Sequence, residues 1–183
     1  MITREEALGR VREHVGNENL VKHMVAVSAI MRGLAERLGE DPDLWEAVGL
    51  LHDIDYEEVG SDWDRHGLVS AEMAADALPE DALHAIRAHN PRTGAEARSS
   101  MDVALLAADG LSGLVVATAL MMPDKRLASV KARSLRRKFG DSSFARGVSR
   151  ENITRCEELG LSLDEFLAVG LASMQAVSDE IDL

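Results

Sequence analysis

Leu44-Trp45-Glu46-Ala47-Val48-Gly49-Leu50-Leu51-His52-Asp53 is the stretch that decides how this chain folds. An apolar helical run carries straight into an adjacent histidine and aspartate. Burying an unpaired carboxylate or imidazolium is expensive. His52-Asp53 at the end of a core helix therefore needs a partner, either a metal ion or the water at a solvated helix end. Asp41-Pro42 starts this helix, with Asp41 as N-cap and Pro42 as the first helical residue. The helix delivers His52 on the face of Trp45, Val48 and Gly49.

Upstream, Thr3 and Glu6 form a capping-box pattern for a helix to about Val15, ended by Gly16-Asn17. A second helix spans Glu18 to Leu38 and stops at Gly39. Its apolar stripe is Leu20, Val27, Ile30, Met31 and Leu34, and His23 lies on that stripe. Downstream, Ile54 to Arg65 reads as acidic and irregular. His66 precedes a helix from about Gly67 to Leu78, and Pro79 breaks the chain. A short helix from Asp81 ends at His89, on the side of Ala82, Ala85 and Ile86.

Val103 to Met122 is the most apolar stretch and holds one charge, Asp109. Its length invites a membrane-spanning reading. The central Asp109, Gly110, Ser112 and Gly113, and the lack of an aromatic belt, predict instead a buried helix bent at Gly110. Asp109 shares a face with Leu105, Leu106, Gly113 and Val116, which makes it a carboxylate pointing into the core. Pro123-Asp124 opens a basic helix to about Phe139. Ser149 caps a helix ending at Gly160, and Ser162 with Glu165 caps a last helix from Leu163 to about Glu180. No stretch alternates with period two. The expected architecture is an all-α bundle of about eight to ten helices. The whole chain, 1–183, reads as a single domain with its core over about 18–122 and the helices of 124–183 packed on it.

Apolar residues make up 46% of the chain but aromatics only 3%, so the core is aliphatic. The net charge of −12 disfavours a nucleic-acid partner or an anionic membrane unless positive charge is concentrated locally. The single cysteine, Cys156, has no intrachain partner, and the N-terminus carries no apolar leader. Both features predict a cytoplasmic protein.

His23, His52, Asp53, His89 and Asp109 all lie on or beside apolar stripes, with His66 at a helix start. One histidine on such a stripe is more often a hydrogen-bonded core residue than a ligand. Six such residues on five separate helices, with no inward Lys or Arg to pair them, predict a metal site.

The ordered set of His23, then His52-Asp53 after an apolar helix, then Asp109 on another, resembles the HD-domain superfamily of metal-dependent phosphohydrolases. Ala108-Asp109-Gly110-Leu111-Ser112-Gly113-Leu114 and Lys131 to Val148 also resemble a small family of HD-type hydrolases. The resemblance implies that His23, His52, Asp53 and Asp109 ligate one ion. His66 and His89 match the extra histidines of dinuclear members, with Asp53 as the bridge. Four histidines and two carboxylates suit iron or manganese, and also zinc, cobalt or nickel, better than calcium or magnesium. Two such ions would activate a water for attack on a nucleotide or small phosphate ester, with Asp53 and His52 as the catalytic residues.

Many HD phosphohydrolases follow the His-Asp pair with Gly and then a phosphate-binding Lys, whereas here the chain reads Ile54-Asp55-Tyr56-Glu57. Arg92, and Lys125 and Arg133 in the basic segment, are the candidate phosphate binders; the basic segment reads equally as a solvated face. His14 and His84 read as solvent-facing, and Glu57 and Glu58 as solvated loop charges. Tyr56 and Trp63 read equally as a pocket wall or as packing anchors. Two further functions share the same ligands: a mixed-valent diiron oxygenase and a non-catalytic metabolite sensor.

Overall fold

The computed structural model describes residues 2–183 and is helical throughout, with no strand among them. Local signals set most of the boundaries. α1 (Arg4–His14) opens on the Thr3/Glu6 capping box, and α2 (Glu18–Leu38) is capped by Asn17 and ends at Gly39 in the left-handed region. Asp41 caps α3 (Pro42–Leu51), accepting from the N–H groups of Asp43 and Leu44. Then come α4 (Tyr56–Val59), α5 (Leu68–Met73), α6 (Glu80–Ala88) and α7 (Ser100–Leu120). α8 (Ala132–Phe139), α9 (Arg150–Thr154) and α10 (Leu163–Ala176) complete the chain, α10 opening on the Ser162/Glu165 capping box.

α2 and α3 form a tightly apposed pair. A Cβ at Gly49 would stand 2.5 Å from Ser28 Cα, so only glycine permits this approach. α7 is the other organising element and packs against α2, α6, α8, α9 and α10. It is long and apolar enough to cross a membrane, but two-thirds of that apolar window (67%) is buried inside the protein. The expected bend is absent: α7 runs unbroken through Gly110. A Cβ there would come within 3.2 Å of Ile153 Cγ1, so this glycine admits α9 rather than breaking the helix.

Four segments differ from expectation, among them α10, which stops at Ala176 rather than near Glu180. The basic helix from Pro123 is a turn, a 3-10 turn over Leu127–Ser129, and then the shorter α8. Asp124 accepts from Arg126 N and Ser129 Oγ, closing a loop that drops Leu127 and Val130 into the core. Burial of those two side chains outweighs the helical tendency of the segment. α5 stops at Met73, giving way to turns before Pro79. The acidic stretch after Ile54 contains α4, and Glu57 there is no idle loop charge: it accepts from Gly16 N and Asn17 N and braces the α1–α2 turn.

Candidate metal centre

All six expected donors converge. His23 comes from α2, His52 and Asp53 from the end of α3, and His66 from the turn before α5. His89 comes from the C-cap of α6 and Asp109 from α7. Asp53 is the hub. Its Oδ1 lies 3.3 Å from His52 Nε2, 3.3 Å from His66 Nε2 and 3.2 Å from His89 Nε2. Its Oδ2 lies 3.5 Å from His23 Nε2, which is also 3.2 Å from Asp109 Oδ1.

The opposite edge of each ring fixes its tautomer. A carbonyl oxygen can only accept, so His52 Nδ1 donates to Gly49 O at 2.9 Å, and His89 Nδ1 donates to Ile86 O. His66 Nδ1 donates to Asp55 Oδ1 at 2.8 Å. Ser112 Oγ spends its proton on Asp109 O and so accepts from His23 Nδ1 at 3.3 Å. In the neutral form of each ring, Nε2 therefore turns its lone pair inward. Such lone pairs facing a carboxylate, and His66 Nε2 facing His89 Nε2 at 3.1 Å, repel one another unless a proton or a metal ion lies between them. His52 Nε2 is buried and has no hydrogen-bond partner among the described residues.

The spacings suit an ion. Two donors about 2.1 Å from a shared metal and at right angles lie about 3 Å apart, close to the separations here. Two triads, His23/His52/Asp109 and His52/Asp53/His89, each bring three donor atoms within 4.8 Å. Carboxylates elsewhere in the core already have partners. Glu46 sits between Arg4 and Arg32, and Asp102 takes the N–H groups of Arg98 and Ser99. Asp53 has only imidazoles as ion-pair partners among the described residues.

The electrostatics follow from burial and charge. Burial pushes the His52 imidazole down to about 4, keeping it neutral and metal-competent. For His23 burial acts the same way, but Asp109 and Asp53 outweigh it and hold the ring near 10. A proton on His23 is the smallest cation able to satisfy that carboxylate pair. His66, between Asp53 and Asp55, is likewise raised to about 9 against the effect of burial. Asp53 stays well below the usual carboxylate range, the surrounding imidazoles overcoming its burial.

Several placements differ from the sequence reading. Asp109 does not point into a sealed core; 38% of its side chain remains accessible, which opens the centre on that face. His84 is not solvent-facing. Its Nδ1 lies 3.0 Å from Asp102 Oδ2, which ties α6 to the start of α7 and leaves His84 outside the donor cluster. Arg92 follows His89 on a short 3-10 turn, exposed and 3.5 Å from Asp64. Lys125 lines a separate surface cavity with Asp124, Arg126, Asp179 and Asp182, and Arg133 is exposed on α8.

Two residues bearing on the site escaped the sequence reading. Asp55 is fully buried and takes bonds from His66, Gly67 N and Ser70 N; its place two residues after Asp53 is the only signal. Lys22, beside His23, lines a cavity of about 470 Å³ with His23, Ser112, Val116 and Leu120. Its Nζ is 2.6 Å from Asp182 Oδ2, so an ion pair and a donor, His23, line the same cavity.

Comparison with known proteins points the same way. The family described as "HD domain" matches residues 20–130, more than half of the chain. A ribonuclease Y of Acidothermus cellulolyticus is 37% identical over 112 residues, 58% of this chain and 22% of that protein. One from Enterococcus faecalis is 34% identical over 153 residues, 79% of this chain and 28% of its own length. One from Desulfotalea psychrophila is 32% identical over 112 residues, covering 58% and 20%. The chain thus spans between a fifth and three-tenths of the curated relatives it matches. No solved structure matches it.

Proposed function

Because this chain belongs to the HD domain family, we propose that it is a metal-dependent phosphohydrolase whose centre is the cluster around Asp53. The observation that carries this reading is the convergence of three Nε2 atoms on one carboxylate oxygen, one of them buried without a partner. His23, His52, Asp53 and Asp109 would hold one ion, and His66 and His89 with Asp53 a second. Iron or manganese suits this mixed imidazole–carboxylate set. When bound, such ions act as Lewis acids toward a phosphoryl oxygen and acidify a water.

The chain's own residues do the rest. Asp53 keeps its charge and holds the imidazoles at fixed spacing. Gly49 O, Ile86 O, Asp55 and Ser112 lock the ring tautomers, as outer partners of metal-ligating histidines do. The accessible Asp109 face and the Lys22-lined cavity give a phosphate ester its approach, and Lys22 and Arg92, on exchanging Asp182 and Asp64 for phosphate, supply the positive charge that the Ile54-Asp55 departure removes.

The relatives are named ribonucleases, and that supports a nucleotide or RNA phosphodiester as substrate. The net charge of −12 is no obstacle. Exposed Lys125, Arg126, Lys131, Arg133, Arg136 and Arg137 concentrate positive charge within one short segment. A cytoplasmic setting fits the lone cysteine and this substrate class.

The test is elemental analysis together with phosphate release from a panel of monoesters and phosphodiesters. Two ions per chain and hydrolysis abolished by Asp53→Ala or His52→Ala are expected; zero or one ion removes the dinuclear reading. Metal-loaded protein that leaves the whole panel intact sinks the reading.

A further inference from the structure

The chain has few aromatic side chains, and the structure does not spend them evenly. Trp45 and Phe166 are buried in the core, whereas Tyr56 and Trp63 each remain 38% exposed. These two are not scattered surface residues. Their ring centroids are 5.3 Å apart, and they stand 5.7 and 5.6 Å from the ring of His66, nearly perpendicular to it. His66 is itself one of the donors facing Asp53, so the exposed pair lies one side chain away from the centre.

The backbone under both rings is tied to the donors. Tyr56 N donates to Asp53 O at 3.0 Å. Asn90, next to His89, donates through Nδ2 to Trp63 O at 2.7 Å and to His66 O at 2.8 Å. Arg92 reaches Asp64, the neighbour of Trp63, and sets a guanidinium on the same rim. Packing anchors belong in the core, because exposed aromatic surface forgoes the stabilisation of burial. Rigidly held rings that keep contact with solvent beside a phosphate-processing centre are suited to stacking on another flat ring.

We propose that Tyr56 and Trp63 form a nucleobase-stacking platform, so that the substrate is a nucleotide or the end of a single-stranded nucleic acid whose phosphate lies on the donor cluster. This deepens the phosphohydrolase reading and rests on it. The edge-on contacts with His66 place the base on the Tyr56/Trp63 side and the phosphate on the Asp53 side. Arg92 then neighbours an adjoining phosphate.

The experiment reads binding separately from turnover, using tryptophan fluorescence of the metal-loaded protein. Trp63 is the accessible reporter and Trp45 the shielded one. Adenosine 5′-monophosphate, a short oligoadenylate and ribose 5-phosphate are titrated in parallel. The expected result is saturable quenching by an adenine-bearing ligand, with ribose 5-phosphate binding at least about tenfold more weakly. Tyr56→Ala weakens the adenine-bearing ligand about tenfold and leaves ribose 5-phosphate unchanged, while Trp63→Phe retains binding by competition. Tighter binding of the monophosphate assigns a free nucleotide, and tighter binding of the oligoadenylate assigns a chain end. Equal affinity for adenosine 5′-monophosphate and ribose 5-phosphate overturns the platform, as does unchanged affinity in both Tyr56→Ala and Trp63→Ala, even in a protein that hydrolyses phosphate esters. Base-dependent binding without any hydrolysis keeps the platform and overturns the phosphohydrolase reading.

Discussion

His66 is held between two carboxylates, its Nδ1 2.8 Å from Asp55 Oδ1 and its Nε2 3.3 Å from Asp53 Oδ1. Asp55 thus decides which nitrogen of His66 faces the centre. It also accepts from Gly67 N and Ser70 N, so it fixes the turn that carries the ring.

Replacing Asp55 with Asn keeps the volume but weakens the acceptor and admits the other tautomer. Losing such an outer partner typically lowers metal affinity about 10–100-fold. If the centre takes two ions as proposed, elemental analysis of Asp55→Asn should show loss of the ion that His66 and His89 would hold ahead of the one that His23 and Asp109 would hold. Equal retention of both sets would remove Asp55 from the positioning role.

Gly67 joins this turn to α6. Its φ of +84° is unfavourable for a residue with a Cβ, and a Cβ there would stand 3.0 Å from Ile86 O and 3.1 Å from His89 Cε1. Ile86 O is also the acceptor of His89 Nδ1. Gly67→Ala should therefore destabilise the fold by about 1–3 kcal/mol and disturb His89 in the same stroke. Chemical denaturation combined with metal stoichiometry checks both effects. Gly60→Ala is the control: it too has positive φ, but its Cβ would meet nothing within 4 Å, so it should cost stability and leave the metal content intact.

Asp102 tests whether the buried polar network at the head of α7 is structural. It is fully buried, takes bonds from Arg98 N and Ser99 N, and faces His84. Despite burial, the bonds from Ser99 and Arg98 hold its carboxyl below the usual range. A folded-state pKa below the unfolded one stabilises the protein at pH values above about 3.9, and that stability is lost as pH falls through the folded value. Asp102→Ala should cost about 1–3 kcal/mol near neutrality, and the gap to wild type should close under acid conditions. A gap that widens as pH falls would contradict this.

The sequence carried the donors because each sits at a position that helical periodicity constrains. His23 lies on the stripe of α2, His52-Asp53 ends an apolar helix begun by Asp41-Pro42, and His89 ends another. Capping residues likewise fixed the starts of α1, α3 and α10. Asp55 was not legible, since an aspartate in an acidic stretch reads as solvated until the fold buries it. Lys125–Lys138 misled for a related reason: residue type favours a helix, but burial of Leu127 and Val130 requires a turn between them. The exposure of Asp109 and the pairing of His84 with Asp102 depend on where α7 sits relative to its neighbours, which no local pattern encodes.

Metal binding should be visible as stability. The centre is a set of inward Nε2 atoms and carboxylates held together by protonation of His23 and His66, and an ion that displaces those protons and binds only the folded chain adds RT ln(1 + [L]/Kd). At a hundredfold excess over Kd this is about 2.7 kcal/mol. For a domain of this length each kcal/mol shifts the melting temperature by about 2–4 °C, so manganese or ferrous iron should raise it by about 5–11 °C. Magnesium or calcium at the same concentration should raise it far less, because imidazole-rich sites suit them poorly. Asp53→Ala removes the hub that all four imidazoles face, and it should abolish the shift while His14→Ala, an exposed residue on α1, leaves it intact. A full shift retained in Asp53→Ala would place the ion somewhere other than the cluster around that carboxylate.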